Sequence, residues 1–374
     1  MTISTNMKKI YKNIIILSEP YLRSYRVPIW NNLAKKNKLI LLCDIPKKHN
    51  FKQAKLSKKI RFIKTRTIIL FKVVYQFKLL SLIKKNHNNL KAITLSANNG
   101  SLSNYIAMIF CKKNKVSVYL WGHGLFKKNL NNYLILWINK ILLHFQSKYI
   151  TKYICYNNLV KKSLIKINFP RNKLTTINNT LEKEKNNFIS LHLNKNKNVL
   201  FIGRLRKFNN LNVLFNALSI LKAKKININL HCIGSGPDLI YLKNLAKELN
   251  INVLFYGGIH DDSKKRKIAR SCIAAIYPGS AGLSVVDYFS YSLPVIIHNK
   301  IQSHMGPEPY YVKNNINGLH FEKNSYTSLA NTIYKLYIDR KLIKKLSINS
   351  FQTFLLLSKP KMSDQLNNLI NRKK

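Results

Sequence analysis

Three short segments in the second half of this 374-residue chain set glycines and basic residues where an anion can be held. In Phe201-Ile202-Gly203-Arg204-Leu205-Arg206-Lys207, an apolar run ends at Gly203 and Arg204 follows at once. Glycine lets the main chain come close to a ligand, and a guanidinium beside it can grip a phosphate through two parallel hydrogen bonds. In Ile233-Gly234-Ser235-Gly236-Pro237, a strand enters a glycine turn and then a helix, which again opens the main chain to close approach. Alone that segment says little, because many strand-to-helix turns have its composition. In the third, Tyr277-Pro278-Gly279-Ser280-Ala281-Gly282-Leu283-Ser284, a small-residue loop leads into a helix. The free amides and the positive dipole end of that helix N-terminus suit a pyrophosphate. Asp287, about one turn further on, can accept both hydroxyls of a ribose.

Acids are scarce, and their scarcity excludes chemistry. Lys and Arg number 65 against 13 Asp and Glu, a formal charge of +52, and residues 1–180 hold only Glu19 and Asp44. A reaction needing two carboxylates from the first half, as most glycoside hydrolases do, has only that one pair to draw on and is nearly excluded. A divalent cation held by several carboxylates has few ligands to choose from. An anionic ligand held by amides, helix ends and basic side chains fits better. Glu19, placed in the loop after the first expected strand, is the one N-terminal acid positioned to act as a base.

The elements that must position these residues alternate. Short apolar runs at Asn13–Ser18, Leu39–Asp44, Ile60–Ile63, Ala92–Leu95, Val116–Leu120, Tyr153–Tyr156 and Leu174–Ile177 read as strands. Helical patterns lie between them at Val27–Lys35, Phe71–Lys85 and Leu102–Lys112, and the very apolar helix Tyr133–Phe145 reads as core, the alternative being a helix that rests on an anionic membrane leaflet. Strands alternating with longer helices predict a parallel sheet with helical crossovers. Glu182–Lys197 is rich in Lys and Asn, and its first part reads as an interdomain linker. A second alternation starts at Asn198–Ile202 and runs to a helical tail, Lys341–Lys374, broken at Pro360. The expected division is 1–185, 186–345 and a C-terminal helical segment 346–374. Open α/β sheets bind ligands at the carboxyl ends of their strands, so the three loops above sit where a ligand belongs.

The basic residues are spread evenly along the chain, without a stripe of interleaved aromatics, which points to compositional drift and away from nucleic acid as a partner. Attraction to an anionic membrane surface is the by-product expected of such charge. Cys43, Cys111, Cys155, Cys232 and Cys272 are far apart and form no C-x-x-C pair, so they read as small buried hydrophobes in a reducing compartment. No run approaches the ~20 apolar residues that span a bilayer, which predicts a cytoplasmic protein, peripheral on the inner face of the membrane at most.

Taken in order over residues 199–321, FIGRL, IGSGP, VLFYGGI, YPGSAGLSVVDYFSYSLPVI, GPE and NGLHF resemble the donor domain of the GT-B glycosyltransferases, in particular the retaining GT4-type group (glycosyl transferases group 1) of bacterial surface-polysaccharide and lipopolysaccharide synthesis. The resemblance implies an α/β fold of two Rossmann-like domains facing each other across a cleft. It implies a nucleotide-sugar donor, UDP- or GDP-linked, with no cofactor and no metal, and a glycan or lipid-linked saccharide acceptor. Donor-site residues would be Gly203, Arg204, Lys207, Gly234, Gly236, Ser280, Ala281, Gly282, Leu283, Ser284 and Asp287. Arg204 would contact the diphosphate, and Asp287 would replace the family's ribose-binding glutamate. Two positions depart from the pattern: the usual lysine five residues after the arginine is Asn209, leaving Lys207 as its substitute, and the first glutamate of E-x7-E falls at Gly279.

In the first half, Tyr25-Arg26-Val27-Pro28-Ile29-Trp30 resembles the acceptor-side segment of bacterial polysaccharide glycosyltransferases, and Val118–Leu125 resembles their WGHG loop. Tyr25, Arg26 and Trp121 would then border the acceptor, and His123 would touch the donor sugar. The reaction implied is transfer of a hexosyl or N-acetylhexosaminyl unit with retention; an inverting enzyme would use Glu19 or His123. The alternatives are a UDP-sugar 2-epimerase on the same fold and a decayed, non-enzymatic binder of anions or glycans.

Overall fold

The computed structural model describes residues 13–45, 55–71, 73–125, 133–183, 187–191 and 197–372. The chain divides into two units, residues 1–182 with 360–374, and residues 183–359.

The first unit runs β1 Ile14–Tyr21, α1 Val27–Ala34, β2 Lys38–Asp44, β3 Ile60–Lys64, β4 Thr67–Leu70, β5 Val73–Gln76, α2 Leu79–Asn86, β6 Leu90–Ser96, α3 Leu102–Lys113, β7 Ser117–Gly122, α4 Tyr133–Tyr149, β8 Lys152–Cys155, α5 Asn158–Ile165 and β9 Leu174–Thr176. Seven strands form one parallel sheet in the order β3-β2-β1-β6-β7-β8-β9. The strands are near-continuous Ile, Leu and Val because both faces are covered. Side-chain alternation sorts them into two layers: Ile16, Leu42, Ile93 and Leu120 on one face, and Ile15, Leu17, Leu41 and Trp121 on the other.

The second unit runs β10 Asn198–Ile202, α6 Leu211–Ala223, β11 Leu230–Ile233, α7 Leu239–Glu248, β12 Val253–Phe255, α8 Asp262–Ala269, β13 Cys272–Tyr277, α9 Ser284–Ser290, β14 Val295–His298, β15 Gly318–Phe321, α10 Tyr326–Ile338 and α11 Arg340–Ser358. Its sheet is also wholly parallel, in the order β12-β11-β10-β13-β14-β15. The order reverses between β1 and β6 in the first sheet and between β10 and β13 in the second, and such reversals are where open α/β sheets leave a ligand crevice.

Four expectations need correcting. The stretch Phe71–Lys85 is not one helix, because Val73, Val74 and Tyr75 favour extended backbone and pair as β5 with β4 in an antiparallel hairpin before α2 begins. The apolar helix at Tyr133–Phe145 is present as α4, but its apolar face is exposed and its buried residues include Asn139, Gln146 and Ser147. No separate segment 346–374 exists. The helix α11 packs on α9 in the second unit, whereas α12 Met362–Asn371 packs on α1 in the first, burying Met362, Leu366 and Ile370 beside Trp30. Glu182 clamps that return, accepting from Ser363 N at 2.6 Å and Asn32 Nδ2 at 2.7 Å. Finally, the expected linker is not wholly free: Ile189 is buried and its amide donates to Ser292 Oγ at 2.9 Å, while 184–186 and 192–196 lie outside the described residues.

All five cysteines are free and buried, and burial pushes each thiol up to about 12. Among the described residues no helix is long and apolar enough to cross a membrane.

Candidate functional site

The three loops read from the sequence converge at the reversal point of the second sheet. Gly203 follows β10, Gly234 and Gly236 follow β11, and Gly279–Ser284 follow β13. Gly203 N donates to Ile233 O and Leu205 N to Ser235 O, tying the first two loops together at 3.0 and 3.1 Å. Those bonds explain the glycines. A β-carbon on Gly234, whose φ is +151°, would fall on the Gly203 carbonyl oxygen, and one on Gly236 would fall on that of Leu205. The close approach these glycines permit is therefore taken up by the neighbouring main chain.

Gly279, standing where the family has a glutamate, is explained the same way. A β-carbon there would collide with the Phe208 carbonyl oxygen and with the backbone of Asn209. The space for a side chain is filled by the short turn Lys207–Asn209. Asn209, standing where the family has a lysine, is fully buried and donates through Nδ2 to the Arg204 carbonyl oxygen. It shapes the arginine loop from beneath and cannot reach a ligand as the lysine would.

Basic side chains remain at this end of the sheet. Arg204 and Lys207 are exposed. Arg206, which the sequence reading passed over, is half-buried, with Nη2 4.0 Å from Met305 Sδ. Burial pushes the phenol of Tyr277 up to about 12, and the charge of Arg206 opposes that rise. Met305 in turn sits 3.8 Å from where a Gly282 β-carbon would lie, so Arg206 is the second guanidinium beside the small-residue loop.

Within that loop the amides divide. Ser280 N donates to Phe208 O at 3.1 Å, and buried Ala281 N donates to Gly279 O at 3.0 Å and to His304 Nδ1 at 3.2 Å. Both are committed inward, which removes Ser280 and Ala281 from the expected phosphate contacts. Gly282, Leu283 and Ser284, all half-buried, make no such inward bond among the described residues. His304 itself is stacked on His298 with ring centroids 3.7 Å apart, and Nε2 lies 3.1 Å from the His298 carbonyl. Burial lowers it to about 4, so it is neutral at pH 7, accepting at Nδ1 and donating at Nε2.

Asp287 lies one turn into α9 and is held by two lysines: Lys183 Nζ at 2.5 Å on Oδ1 and Lys265 Nζ at 3.6 Å on Oδ2. Burial would raise its carboxyl, but these charges win and keep it below the usual carboxylate range. Lys183 also pairs with Asp262 at 2.8 Å and lies 3.9 Å from the centroid of the Tyr291 ring. Lys183 gave no signal in the sequence, since it stands in a Lys/Asn-rich stretch without periodicity. Glu308, quoted only as part of GPE, is buried with its carboxylate 3.9 Å from where a Gly282 β-carbon would lie.

The first unit gathers its candidates around Tyr156, which the sequence reading did not single out. Arg26 is 2 % exposed, 4.2 Å from the centroid of the Trp121 ring and bonded through Nη2 to Tyr156 Oη at 3.2 Å. Trp121 is buried edge-on against Trp30 and Tyr156. Arg26 and Trp121 thus pack inside the unit rather than lining an acceptor surface. Tyr25 is half-buried and accepts a hydrogen bond from Arg23 at 2.9 Å. His123, half-buried just past β7, meets Tyr156 edge to face at 4.4 Å. Glu19 lies within β1 and not in a loop after it, because the strand continues through an irregularity between Ser18 and Tyr21.

Comparison with known proteins fits this geometry. Residues 182–353 match the family described as Glycosyl transferases group 1. None of the curated proteins matches the chain. Among solved structures it is similar to sucrose-phosphate synthase from Thermosynechococcus elongatus, with TM-score 0.70, 16% identity, and coverage of 96% of this chain and 98% of that one. HepE of Anabaena in complex with UDP gives TM-score 0.67 at 15% identity over 96% and 98%. The lipopolysaccharide outer core galactosyltransferase WaaB gives 0.62 at 14% identity over 96% and 98%. These likenesses show a GT-B fold with two Rossmann-like domains. Residues 182–353 thus resemble the glycosyl transferases group 1 family, and the chain has the GT-B fold.

Proposed function

We propose that the chain transfers a sugar from a UDP- or GDP-linked donor to a glycan or lipid-linked saccharide of the bacterial cell surface, with retention and without a metal, as a GT4-type enzyme. The observation that carries this reading is that Gly203–Arg204 follows β10 and Gly282–Ser284 follows β13, the neighbouring strands at the reversal point of the second sheet, inside the segment that matches the family. In the proposed step the bond from the anomeric carbon to the diphosphate oxygen breaks, and the acceptor hydroxyl bonds to that carbon on the same face. The hydroxyl proton leaves with the departing phosphate. Arg204, assisted by Arg206 or Lys207, and the amides of Gly282, Leu283 and Ser284 stabilise the charge that builds on the diphosphate. Asp287 takes the ribose hydroxyls, exchanging part of its bonding to Lys183 and Lys265. His123 is our candidate for contact with the donor sugar, and Glu19 for a base should the reaction invert.

UDP bound to HepE supports a uridine nucleotide, and WaaB, a lipopolysaccharide outer core galactosyltransferase, supports the cell-surface class. We place the protein in the cytoplasm, peripheral on the inner membrane leaflet. The test is thermal stability against UDP, GDP, ADP and their sugars for the unmodified chain, Arg204→Ala and Asp287→Ala. A selective rise with one nucleotide that both substitutions abolish is expected. No selective rise would favour the non-enzymatic anion binder. Proton NMR of the first-formed product then reads the anomeric configuration, and an inverted product would move the mechanism to Glu19 or His123.

A further inference from the structure

The first unit is apolar on its outside at a place where a water-facing surface is polar. Along α4 the inward row is Asn139, Leu143, Gln146 and Ser147. The outward row is Tyr133, Leu134, Trp137, Ile138, Ile141 and Phe145, with Tyr133 84% and Trp137 60% exposed. A helix on a soluble domain turns its apolar stripe to the core. Here polar side chains do the inward packing, Asn99 Nδ2 donating to Asn139 Oδ1 at 2.8 Å and Gln146 Nε2 to Tyr105 Oη at 3.0 Å. The β4–β5 hairpin repeats the pattern. Ile69, Leu70 and Val73 are exposed, and Phe71 at the tip is 92% exposed at a φ of +44°, which side-chain-bearing residues rarely adopt.

The two surfaces meet at one loop. Val74 N, at the base of the hairpin, donates to Gly100 O at 2.8 Å, while the neighbouring Asn99 bonds α4. Half-exposed Leu102 opens α3 beside them. An apolar surface of this extent marks a docking site. Charge says for what. No carboxylate occurs between Asp44 and Glu182, and exposed Lys64, Arg66, Lys78, Lys140 and Lys148 rim the two elements. A second copy would bring the same positive rim against it. An anionic bilayer satisfies both features: its headgroups pair with the basic rim, and its acyl boundary takes the aliphatic and aromatic side chains. Trp and Tyr on the outward row are the residues that favour that boundary.

We propose that the tip of the β4–β5 hairpin and the outward face of α4 form one membrane-docking surface that inserts into an anionic lipid leaflet. It gives the peripheral attachment proposed above a defined site, and nucleotide binding by the second unit is an independent readout of the other reading. The experiment is co-sedimentation of the full chain with vesicles of phosphatidylglycerol and phosphatidylcholine, against phosphatidylcholine alone, followed also by tryptophan emission. Trp30 and Trp121 are buried, so a blue shift on mixing reports Trp137. Binding to the anionic vesicles alone, with a blue shift, is expected. Leu70→Ser with Phe71→Ser, and separately Trp137→Ser with Ile141→Ser, should each weaken it on the order of tenfold while the thermal response to the nucleotide that stabilises the unmodified chain persists. Equal binding to both vesicles, binding indifferent to both double variants, or a dimer in solution that the variants dissociate would each overturn the surface. No selective response to UDP, GDP or ADP with vesicle binding intact would instead overturn the donor reading and leave the surface standing.

Discussion

The two sheets reverse their strand order alike, yet the two reversal points are furnished by opposite means. In the second unit the furnishing is main chain: glycines let loops press together, Ser280 and Ala281 amides turn inward, and Asn209 and His304 brace from behind. In the first it is side chain: Arg26 is held among Trp121 and Tyr156, with Trp30 and His123 against those rings. A diphosphate is recognised by its charge and shape, which amides and guanidinium groups read at fixed positions. Main-chain furnishing leaves little room for substitution, so that half of the molecule should fail sharply where the other half bends.

The harshest test is Gly279→Glu, which restores the family's acid. If the glutamate were merely missing from an open site, the change would be tolerated. With the Phe208–Asn209 backbone in its place, the substitution should cost about 3 kcal/mol or more and lower the melting temperature by on the order of 10 °C, measured by thermal unfolding. Activity gained without loss of stability would mean that the turn can move aside.

Arg204→Ala comes next. Its side chain is exposed, so stability should hold within about 0.5 kcal/mol. Transfer should fall by on the order of 10²–10³, as for loss of a group that meets developing charge. Arg206→Ala separates the two guanidinium groups: a loss comparable to that of Arg204→Ala makes Arg206 the replacement for the family's lysine, and none leaves that part to Lys207.

How far the sequence could be read follows from these cases. Strand and loop positions in the second unit were legible because parallel strands buried on both faces are plain apolar runs closed by glycine. What the glycines touch was not legible, since close approach of neighbouring main chain and of ligand ask for the same residue. Asn209 and Gly279 looked like losses until their surroundings showed each filling a space. In the first unit Arg26 looked like a surface residue, because nothing local shows that a cation will be buried among the rings of Trp121 and Tyr156. The helix α4 is ambiguous for a related reason: its composition suits a core helix or one lying on a membrane, and only the tertiary partners of Asn139 and Gln146 show which side faces in.

Asp287→Asn should cost less than Gly279→Glu. It leaves Lys183, 9% exposed, with Asp262 as its remaining carboxylate, so a loss of about 1–3 kcal/mol is expected by denaturant unfolding. Lys183→Met at the same site leaves Lys265 with Asp287 and should cost less again. A larger loss for the lysine would show that its stacking on Tyr291 outweighs its charge.

The dependence on pH separates the two braces of the small-residue loop. Burial holds His304 at about 4 and His298 at about 3 in the folded chain, against about 6.5 when unfolded. Between roughly pH 6.5 and 4 the unfolded state therefore binds more protons, and stability falls as pH falls, by about 1.4 kcal/mol per pH unit for each histidine once the window is entered. Asp287 acts in the same direction in a lower window. Its carboxyl is depressed, so its contribution is whole above the unfolded value near 4 and is lost only as pH drops below that. His304→Asn keeps an acceptor for the Ala281 amide while removing the titration, and it should flatten the slope between pH 4.5 and 6 by about one proton. It should leave the slope below pH 4 alone, where Asp287→Asn should act instead. A slope unchanged by His304→Asn would mean that the ring charges without leaving its place, and the loop would then owe its fixity to Asn209 and Gly279 alone.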